Sequence, residues 1–131
     1  MAVLLPAAGF SLPAFLSPSP AAVTHVVRMN ANSFAPAVTR ARAGDTVRFV
    51  NGLGGPHNVE FIADSIGATA RGLLEQAMPG GRDKLGPLSG PLLLDEDEAY
   101  GVVVPPMAEG RYAFLCLPHQ AFMRGALVVV R

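Results

Sequence analysis

Cys116-Leu117-Pro118-His119-Gln120-Ala121-Phe122-Met123 carries a thiol, an imidazole and a thioether in one short stretch, and Cys116 is the only cysteine in the chain. Thiolate and thioether sulfur are ligands for soft metals such as Cu(I), and imidazole suits copper as well. A tight turn between two strands would therefore present Cys116, His119 and Met123 to a single metal ion.

A second imidazole lies well upstream, in the stretch Gly54-Gly55-Pro56-His57-Asn58-Val59 at the mouth of a predicted strand. Two histidines, one cysteine and a weak axial methionine form the ligand set of blue-copper electron-transfer sites. His57 would approach the other three donors from a neighbouring loop. The predicted site therefore combines ligands from one local turn with a ligand that only the tertiary fold brings close. Neither stretch holds a further side chain suited to act as a general base or a substrate anchor, which favours electron transfer over copper catalysis.

Each donor also has an ordinary structural interpretation. A lone cysteine is most often a buried structural thiol, and methionine commonly fills gaps in cores. Cys116 could also be the nucleophile of a Cys-His enzyme, but no third residue that would orient the histidine is evident. The presence of all four donors in one strand-rich chain favours the copper site. Met78 and Met107 are predicted to fill the core or a loop.

The composition is typical of a single globular domain. The chain has 131 residues, of which 50% are hydrophobic, enough for one sizeable core. Ten Lys and Arg residues balance ten Asp and Glu residues, so the charge balance gives no indication of a nucleic-acid partner, which clustered basic residues would favour. With a single cysteine there is no internal disulfide, and cysteine usage does not reveal the compartment.

The amino-terminal segment is unusually apolar. The first 22 residues contain four prolines and no charged side chain, and they end in Ala21 and Ala22. We predict that residues 1–22 are a secretory signal peptide and that residues 23–131 form a copper-binding domain that is periplasmic or otherwise exported. A disordered apolar tail and a Pro-rich membrane tether are the alternatives. The prolines argue against stable membrane insertion, because a spanning helix needs about 20 apolar residues with few breakers.

From Val23 onward, short β-rich segments are punctuated by Gly and Pro. Strands are predicted over 24–29, 37–42, 46–50, 58–62, 99–104, 111–115 and 126–130. Their number and spacing predict an all-β fold, a Greek-key sandwich or barrel of about seven to eight strands. One short helix is predicted over 66–78, where apolar residues recur at helical spacing and Asp64 and Ser65 can cap the first turn. The stretch 79–91 is too irregular for a regular element.

Three motifs together resemble one family. They are Ala43-Gly44-Asp45-Thr46-Val47-Arg48-Phe49-Val50-Asn51, Pro56-His57-Asn58-Val59, and the Cys-x₂-His-x₃-Met loop followed by Arg124-Gly125. Over about Val26 to Val130 the sequence resembles the plastocyanin/azurin (cupredoxin) family, in particular its bacterial plastocyanin-like members. Leu115 stands where plastocyanins place a tyrosine before the cysteine.

The resemblance implies one type 1 copper ion and a set of residues around it. The implied ligands are His57, Cys116, His119 and Met123. Asn58 is implied to tie the two ligand loops together and to support the cysteine sulfur, and Pro118 is the other residue expected beside the ligands. The implied function is a one-electron carrier that cycles Cu(I)/Cu(II) between redox partners, and not an enzyme. Copper delivery or buffering without redox duty is the alternative.

The resemblance also implies where redox partners bind. Electrons would enter and leave at an exposed edge of His119, and the apolar residues around it would make a small, transient contact. These residues are Leu53, Gly54, Gly55, Pro56, Pro118 and Phe122. The acidic run Asp95-Glu96-Asp97-Glu98 could be a docking patch for a basic partner, although such runs are more often solvated turns. The domain itself is expected to be a monomer.

Overall fold

The computed structural model describes residues 8–9 and 20–131. Eight strands and one α-helix follow one another along the described chain. They are β1 Thr24–Asn30, β2 Ser33–Ala35, β3 Val38–Arg42, β4 Thr46–Asn51, β5 Glu60–Phe61, α1 Ala68–Ala77, β6 Ala99–Val103, β7 Gly110–Leu115 and β8 Arg124–Val130. Three short 3₁₀ turns lie at Ala63–Ser65, Gly81–Asp83 and Leu117–His119.

The strands form two four-stranded sheets. The first has the order β2-β1-β4-β6 and the second the order β3-β8-β7-β5. Strands β1 and β4 are parallel, as are β3 and β8, and the other pairings are antiparallel. The chain passes from the first sheet to the second between the consecutive strands β2 and β3. The predicted all-β sandwich with one short helix is confirmed.

An aromatic cluster joins the two sheets. Phe114 of β7 is fully buried and lies edge-on to three other rings, with centroid distances of 4.8 Å to Phe34, 5.4 Å to Phe49 and 5.6 Å to Phe61. Edge-to-face pairs of this kind contribute about 0.5–1.5 kcal/mol each beyond the area that they bury. The cluster fixes β7, and so the segment that follows it, against the first sheet.

Two predictions about the helix, its first residue and its cap, were wrong. The helix begins at Ala68 rather than at residue 66, and its N-cap residue is Gly67, with no side-chain cap. Ser65 instead donates its hydroxyl to the Ile62 carbonyl, 2.8 Å away. Ile66 takes an extended backbone and buries its side chain in the core, which keeps it out of the helix.

Strand β2 was not predicted, and the predicted strand 58–62 is reduced to Glu60–Phe61. The predicted role of Met78 and Met107 as fillers is confirmed, since both are buried in the core cluster.

The predicted signal peptide falls on residues that lie outside the described part of the chain, apart from residues 8–9 and 20–22. Among the helices of the described residues, none has the length and apolar character needed to cross a membrane.

Candidate metal centre

The loop Cys116–Met123, called the metal loop below, connects β7 to β8. The backbone N–H of Cys116 donates to the Met123 carbonyl at 3.0 Å, and the Met123 N–H donates to the His119 carbonyl at 2.9 Å. These bonds close a tight turn over the 3₁₀ segment Leu117–His119. One rigid turn therefore carries three of the four predicted copper ligands.

Cys116 is fully buried, and its sulfur lies 3.6 Å from Nδ1 of His119. Burial raises the pKa of the thiol, while hydrogen bonds from the backbone N–H groups of Asn58 and His119 lower it. These N–H groups belong to the segment of His57 and Asn58 and to the metal loop, and both favour the thiolate over the thiol. A metal ion that binds here must displace the thiol proton.

His57 reaches the metal loop from the other side. It is fully buried, and two backbone hydrogen bonds with Leu93, of 3.2 and 2.8 Å, hold its main chain. The ring centroids of His57 and His119 are 5.1 Å apart, and the rings are tilted by 40°. The tertiary fold thus brings together the two imidazoles that the sequence separates.

The ring of His57 faces two oxygen atoms. Its Nε2 lies 2.8 Å from the Ala31 carbonyl, and its Nδ1 lies 2.7 Å from Oδ1 of Asn51. A carbonyl oxygen can only accept, and a neutral imidazole has a single N–H to donate. One of the two contacts is therefore between two lone pairs, and a bond from His57 to a metal ion would require one of these oxygens to move aside.

Asn58 connects the two ligand segments. Its Oδ1 accepts a hydrogen bond of 2.8 Å from the backbone N–H of Leu117, and its Nδ2 donates to the Gly90 carbonyl at 3.3 Å. Asn58 is itself buried. Pro118 lies in the 3₁₀ segment of the metal loop with its side chain exposed.

Met123 completes the predicted donor set and is fully buried at the end of the metal loop. The structure pairs Cys116 with His119 and His57 with His119, but it does not gather the donors into one cluster. In the described part of the chain, no three His, Cys, Asp or Glu side chains are close enough together to hold a metal ion. Both nitrogens of the His57 ring face oxygen atoms, of Asn51 and of Ala31, rather than the other donors.

The residues nonetheless fit a copper ion. A buried thiol, two imidazoles and a buried thioether are the donor types of a blue-copper site. These observations match the chemistry of copper better than that of a harder ion, which prefers carboxylate and water oxygens.

Sequence patterns do not predict the contacts that Asn51 and Ala31 make with His57. Asn51 ends β4 and is followed by Gly52, a pair that predicts an exposed turn rather than a buried contact. Ala31 acts through its backbone carbonyl, in a turn where its φ is 52°. The one sequence signal that could have drawn attention to Asn51 is that this polar residue directly follows the apolar residues Phe49 and Val50 of the predicted strand.

Comparison with known proteins identifies the family of the chain. The sequence profile of the copper binding proteins of the plastocyanin/azurin family matches residues 21–130. Plastocyanin of Vicia faba is 37% identical over 100 residues, covering 74% of this chain and 87% of the relative. Amicyanin of Paracoccus denitrificans is 34% identical over 88 residues, covering 67% of this chain, and the chain spans only 51% of that protein.

Solved structures give the same result. A mutant plastocyanin of fern superposes with a TM-score of 0.61 at 27% identity, covering 80% of this chain and 99% of the fern chain. An oxidised amicyanin variant superposes with a TM-score of 0.59 at 29% identity, covering 82% of each chain. From the profile match and these relatives, the chain belongs to the plastocyanin/azurin family of copper-binding proteins.

Proposed function

We propose that this protein is a type 1 copper electron carrier whose single copper ion is held by His57, Cys116, His119 and Met123. The observation that carries the proposal is the pairing of a buried Cys116 sulfur with Nδ1 of His119 at 3.6 Å, beside the His57 ring. Bound copper supplies the one-electron Cu(I)/Cu(II) couple.

The chain contributes a rigid and largely dry site. The backbone bonds within the metal loop and the Asn58–Leu117 bond fix the donors before any electron moves. A fixed donor geometry reduces the rearrangement that accompanies a change of charge. Burial of Cys116, His57 and Met123 excludes water from three of the four donors.

His119 differs from the other donors because it is only partly buried. Its exposed edge would be the place where electrons enter and leave, while its Nδ1 faces the sulfur inside. The relatives carry the names plastocyanin and amicyanin, and the metal loop offers no side chain beyond the proposed ligands that is suited to act on a substrate. These points favour electron transfer over an enzymatic role.

Copper delivery or buffering is the second candidate function. A delivery protein must release its ion, which an accessible donor set with few protein neighbours would favour. Here three donors are fully buried, so release would require the loop to open. The burial therefore supports the electron carrier.

The test adds Cu(II) to the purified full chain and records the visible spectrum and the electron paramagnetic resonance spectrum. We expect an intense blue band from charge transfer between the thiolate and copper, with a small hyperfine splitting. Cys116→Ala should abolish both signals. Met123→Leu should keep the blue band and raise the midpoint potential, since a weak donor to the ion is lost. A pale copper signal that survives Cys116→Ala would refute the electron-carrier proposal.

We further propose that redox partners bind an apolar face formed by the loop before His57 and by the metal loop. Leu53 is 69% exposed and Phe122 is 73% exposed. Gly54, Gly55, Pro56 and Pro118 are exposed as well. Exposed apolar residues beside the half-buried His119 suit a small and transient contact, because weak redox encounters bury little surface.

Electron self-exchange tests this face without a known partner, since two copies of the chain act as donor and acceptor. We expect Phe122→Lys and Leu53→Lys to slow self-exchange, measured from NMR line broadening in mixed oxidation states, and added salt to restore part of the rate. Val103→Lys is the matched control, because Val103 is 55% exposed but lies in β6. Equal slowing in all three variants would overturn the assignment.

We also propose that the domain is exported and monomeric. Export is supported by the charge-free first 22 residues. Mass spectrometry of the protein recovered from the exported fraction would locate the mature amino terminus, which we expect near Val23. Light scattering of the purified protein would give its oligomeric state.

A further inference from the structure

The outer face of the second sheet carries a group of arginines. Exposed positions alternate with buried ones along β3, which places Arg40 and Arg42 on the outside. Arg111 is an exposed residue of β7, and it is paired with Val128 of β8 from the side opposite to Arg40. Arg124, the first residue of β8, is exposed as well. We call these four arginines the basic face.

The charges of the basic face are not neutralised within the fold. Among the described residues, Arg28 pairs with Asp97 and Arg131 pairs with Glu109, and no residue of the basic face forms an ion pair. The residues outside the described ranges contain no Asp or Glu. Glu60 is the one acidic residue in the four described strands of this sheet, and its carboxylate accepts a hydrogen bond from a serine hydroxyl. The basic face therefore has an excess of positive charge.

The acidic run Asp95–Glu98 belongs to the other sheet, since it leads into β6. Its carboxylates already have partners within the chain. Glu98 accepts from two backbone N–H groups, at 3.2 and 2.6 Å, and Asp97 pairs with Arg28 at 3.3 Å. The basic face is therefore the stronger candidate for a charged docking surface.

Arg111 and Arg124 flank a recess of about 210 Å³ on the basic face, and Val38, Ile62 and Ala113 form its apolar wall. Sites for drug-sized ligands occupy about 300–1,000 Å³, so this recess suits a single side chain better. The guanidinium group of arginine is a planar fork that binds a carboxylate through two parallel hydrogen bonds. A carboxylate side chain can satisfy the arginines while its apolar stem packs on the wall.

Arg124 connects the basic face to the metal loop. It directly follows Met123, and its Nε donates to the Gln120 carbonyl at 3.3 Å. Across the sheet it is paired with Leu115, which precedes Cys116. A partner that is bound on the basic face therefore lies beside the loop that carries three of the proposed ligands.

We propose that the basic face is a docking surface for an acidic protein partner, and that a carboxylate side chain of this partner enters the recess between Arg111 and Arg124. Complementary charge raises the rate of encounter and selects the partner. Delivery of a redox partner to the metal loop rests on the proposed function, whereas the binding of carboxylates does not.

The structure favours a protein over the other polyanions that arginines attract. A membrane-binding surface adds exposed Trp, Phe or Leu side chains that insert among the lipids. In the described strands of the second sheet, Val38, at 44% exposure, is the only exposed large apolar residue. Domains that bind nucleic acids are commonly basic overall, but this chain has ten basic and ten acidic residues.

Poly-L-glutamate is the probe for an acidic partner. It is titrated into the purified full chain under reducing conditions while NMR records the backbone amide shifts. We expect saturable shifts that are largest in β3, β7 and β8. The affinity should fall as the ionic strength rises from about 0.01 to about 0.15 M, because the Debye length shortens from about 30 to about 8 Å. No binding, or shifts concentrated elsewhere, would overturn the proposal.

Single substitutions locate the interaction. Arg40→Gln, Arg111→Gln and Arg124→Gln should each weaken the binding of poly-L-glutamate by about two- to fivefold, the range found for exposed charge pairs. Arg48→Gln is the matched control, because Arg48 is an exposed strand arginine in the first sheet, and it should bind as the wild type does. Equal weakening in all four variants would mean that net charge alone is responsible, which contradicts the assignment.

The double variant Arg111→Lys/Arg124→Lys tests the recess. It keeps both charges but removes the planar forks, so we expect weaker binding of poly-L-glutamate than in the wild type. Wild-type affinity in this variant would refute the placement of a carboxylate between the two residues.

Vesicles of phosphatidylglycerol and phosphatidylcholine, and a DNA duplex, test the other polyanions. We expect both to bind less tightly per anionic group than poly-L-glutamate. Equal or tighter binding of either would overturn the assignment to a protein partner. The spectrum of the copper-loaded wild type separates the two proposals. A chain that binds poly-L-glutamate but forms no blue site refutes the proposed function alone, whereas a blue chain that does not bind it refutes only the docking surface.

Discussion

Gly125 lies directly across the β7–β8 pair from Phe114, and the ring leaves no room for a side chain at this position. A Cβ atom built on Gly125 would meet Cε2 of Phe114 at 2.5 Å and the Ala37 carbonyl at 2.7 Å. The glycine that follows the metal loop thus makes room for the ring at the centre of the aromatic cluster.

Gly125→Ala should therefore destabilise the protein. The added methyl group meets a ring that three other aromatic residues hold in place, together with a backbone oxygen that cannot turn aside. Overpacking of this kind costs about 1–3 kcal/mol. Urea unfolding of the metal-free chain would measure the loss.

The control for this prediction is Gly101→Ala in β6. A Cβ atom there would meet only Thr46 Cγ2, at an ordinary 3.6 Å. We expect no loss of stability in this variant. Equal losses at both positions would mean that a general cost of changing strand glycines, and not the contact with Phe114, is responsible.

Asn58→Ala should weaken the connection between the two ligand segments. It leaves the Leu117 N–H without its acceptor at 2.8 Å. The bond is partly buried, and a donor left without a partner away from water costs about 1–3 kcal/mol, so we expect a loss towards the lower end of this range. The free energy of unfolding of the metal-free protein is the measurement, and Asn32→Ala, at an exposed position in the turn after β1, is the comparison. A loss no larger than that of Asn32→Ala would contradict the prediction.

Asp45 should make the protein sensitive to acid. The pKa of its carboxyl falls from 3.8 to about 2, because the backbone N–H of Arg42, the side chain of His25 and the backbone N–H of Val23 all donate to it. In the window between these two values the unfolded chain binds more protons than the folded one. Stability is therefore fully present above about pH 4 and is lost as the pH falls towards 2.

Urea midpoints at pH 5 and pH 2.5 would test this prediction. The wild type should lose more stability between the two pH values than Asp45→Asn, which has no carboxyl to protonate. Asp83→Asn, at an exposed position, should behave like the wild type. An acid loss in Asp45→Asn as large as in the wild type would show that other carboxylates are responsible.

Tyr100 should resist ionisation. Burial raises the pKa of its hydroxyl from 10.0 to about 12, and the hydroxyl donates to the Pro79 carbonyl. The stabilisation is present below pH 10 and is lost as the pH rises through 12. The chain has two tyrosines and no tryptophan, so absorbance titration should show a late phase that is missing in Tyr100→Phe. A titration curve unchanged by the substitution would contradict the assignment.

Removal of copper should lower thermal stability. A ligand that binds only the folded state stabilises it by about 2.7 kcal/mol at a free concentration one hundred times its Kd. Differential scanning calorimetry with Cu(II), with and without a chelator, would measure the shift. Cys116→Ala should lose most of it. A melting temperature that does not respond to copper would contradict the proposed ligand set.

Much of the fold could be predicted from the sequence because the strands carry their own patterns. In β4 the buried Val47 and Phe49 alternate with the exposed Arg48, and such alternation is a local property. The metal loop could be predicted for the same reason, since its donors are spaced within a single turn.

The rest depends on contacts that no local pattern contains. The helix starts late because Ile66 packs into the core, which outweighs its position in a helical pattern. Strand β2 is only three residues long and exists through its pairing with β1. The contact between Asn51 and His57 joins a strand end to a loop, and it forms only after β4 has taken its place in the sheet.

The division of the donors between one loop and one distant residue affects the order in which metal binding and folding take place. The unfolded chain already keeps Cys116, His119 and Met123 close together, so it retains a partial binding site that needs no tertiary structure. Any affinity of this state for copper reduces the stabilisation that the ion gives to the fold. His57, which arrives only with the folded sandwich, would then be the ligand through which copper discriminates between the native and the unfolded chain.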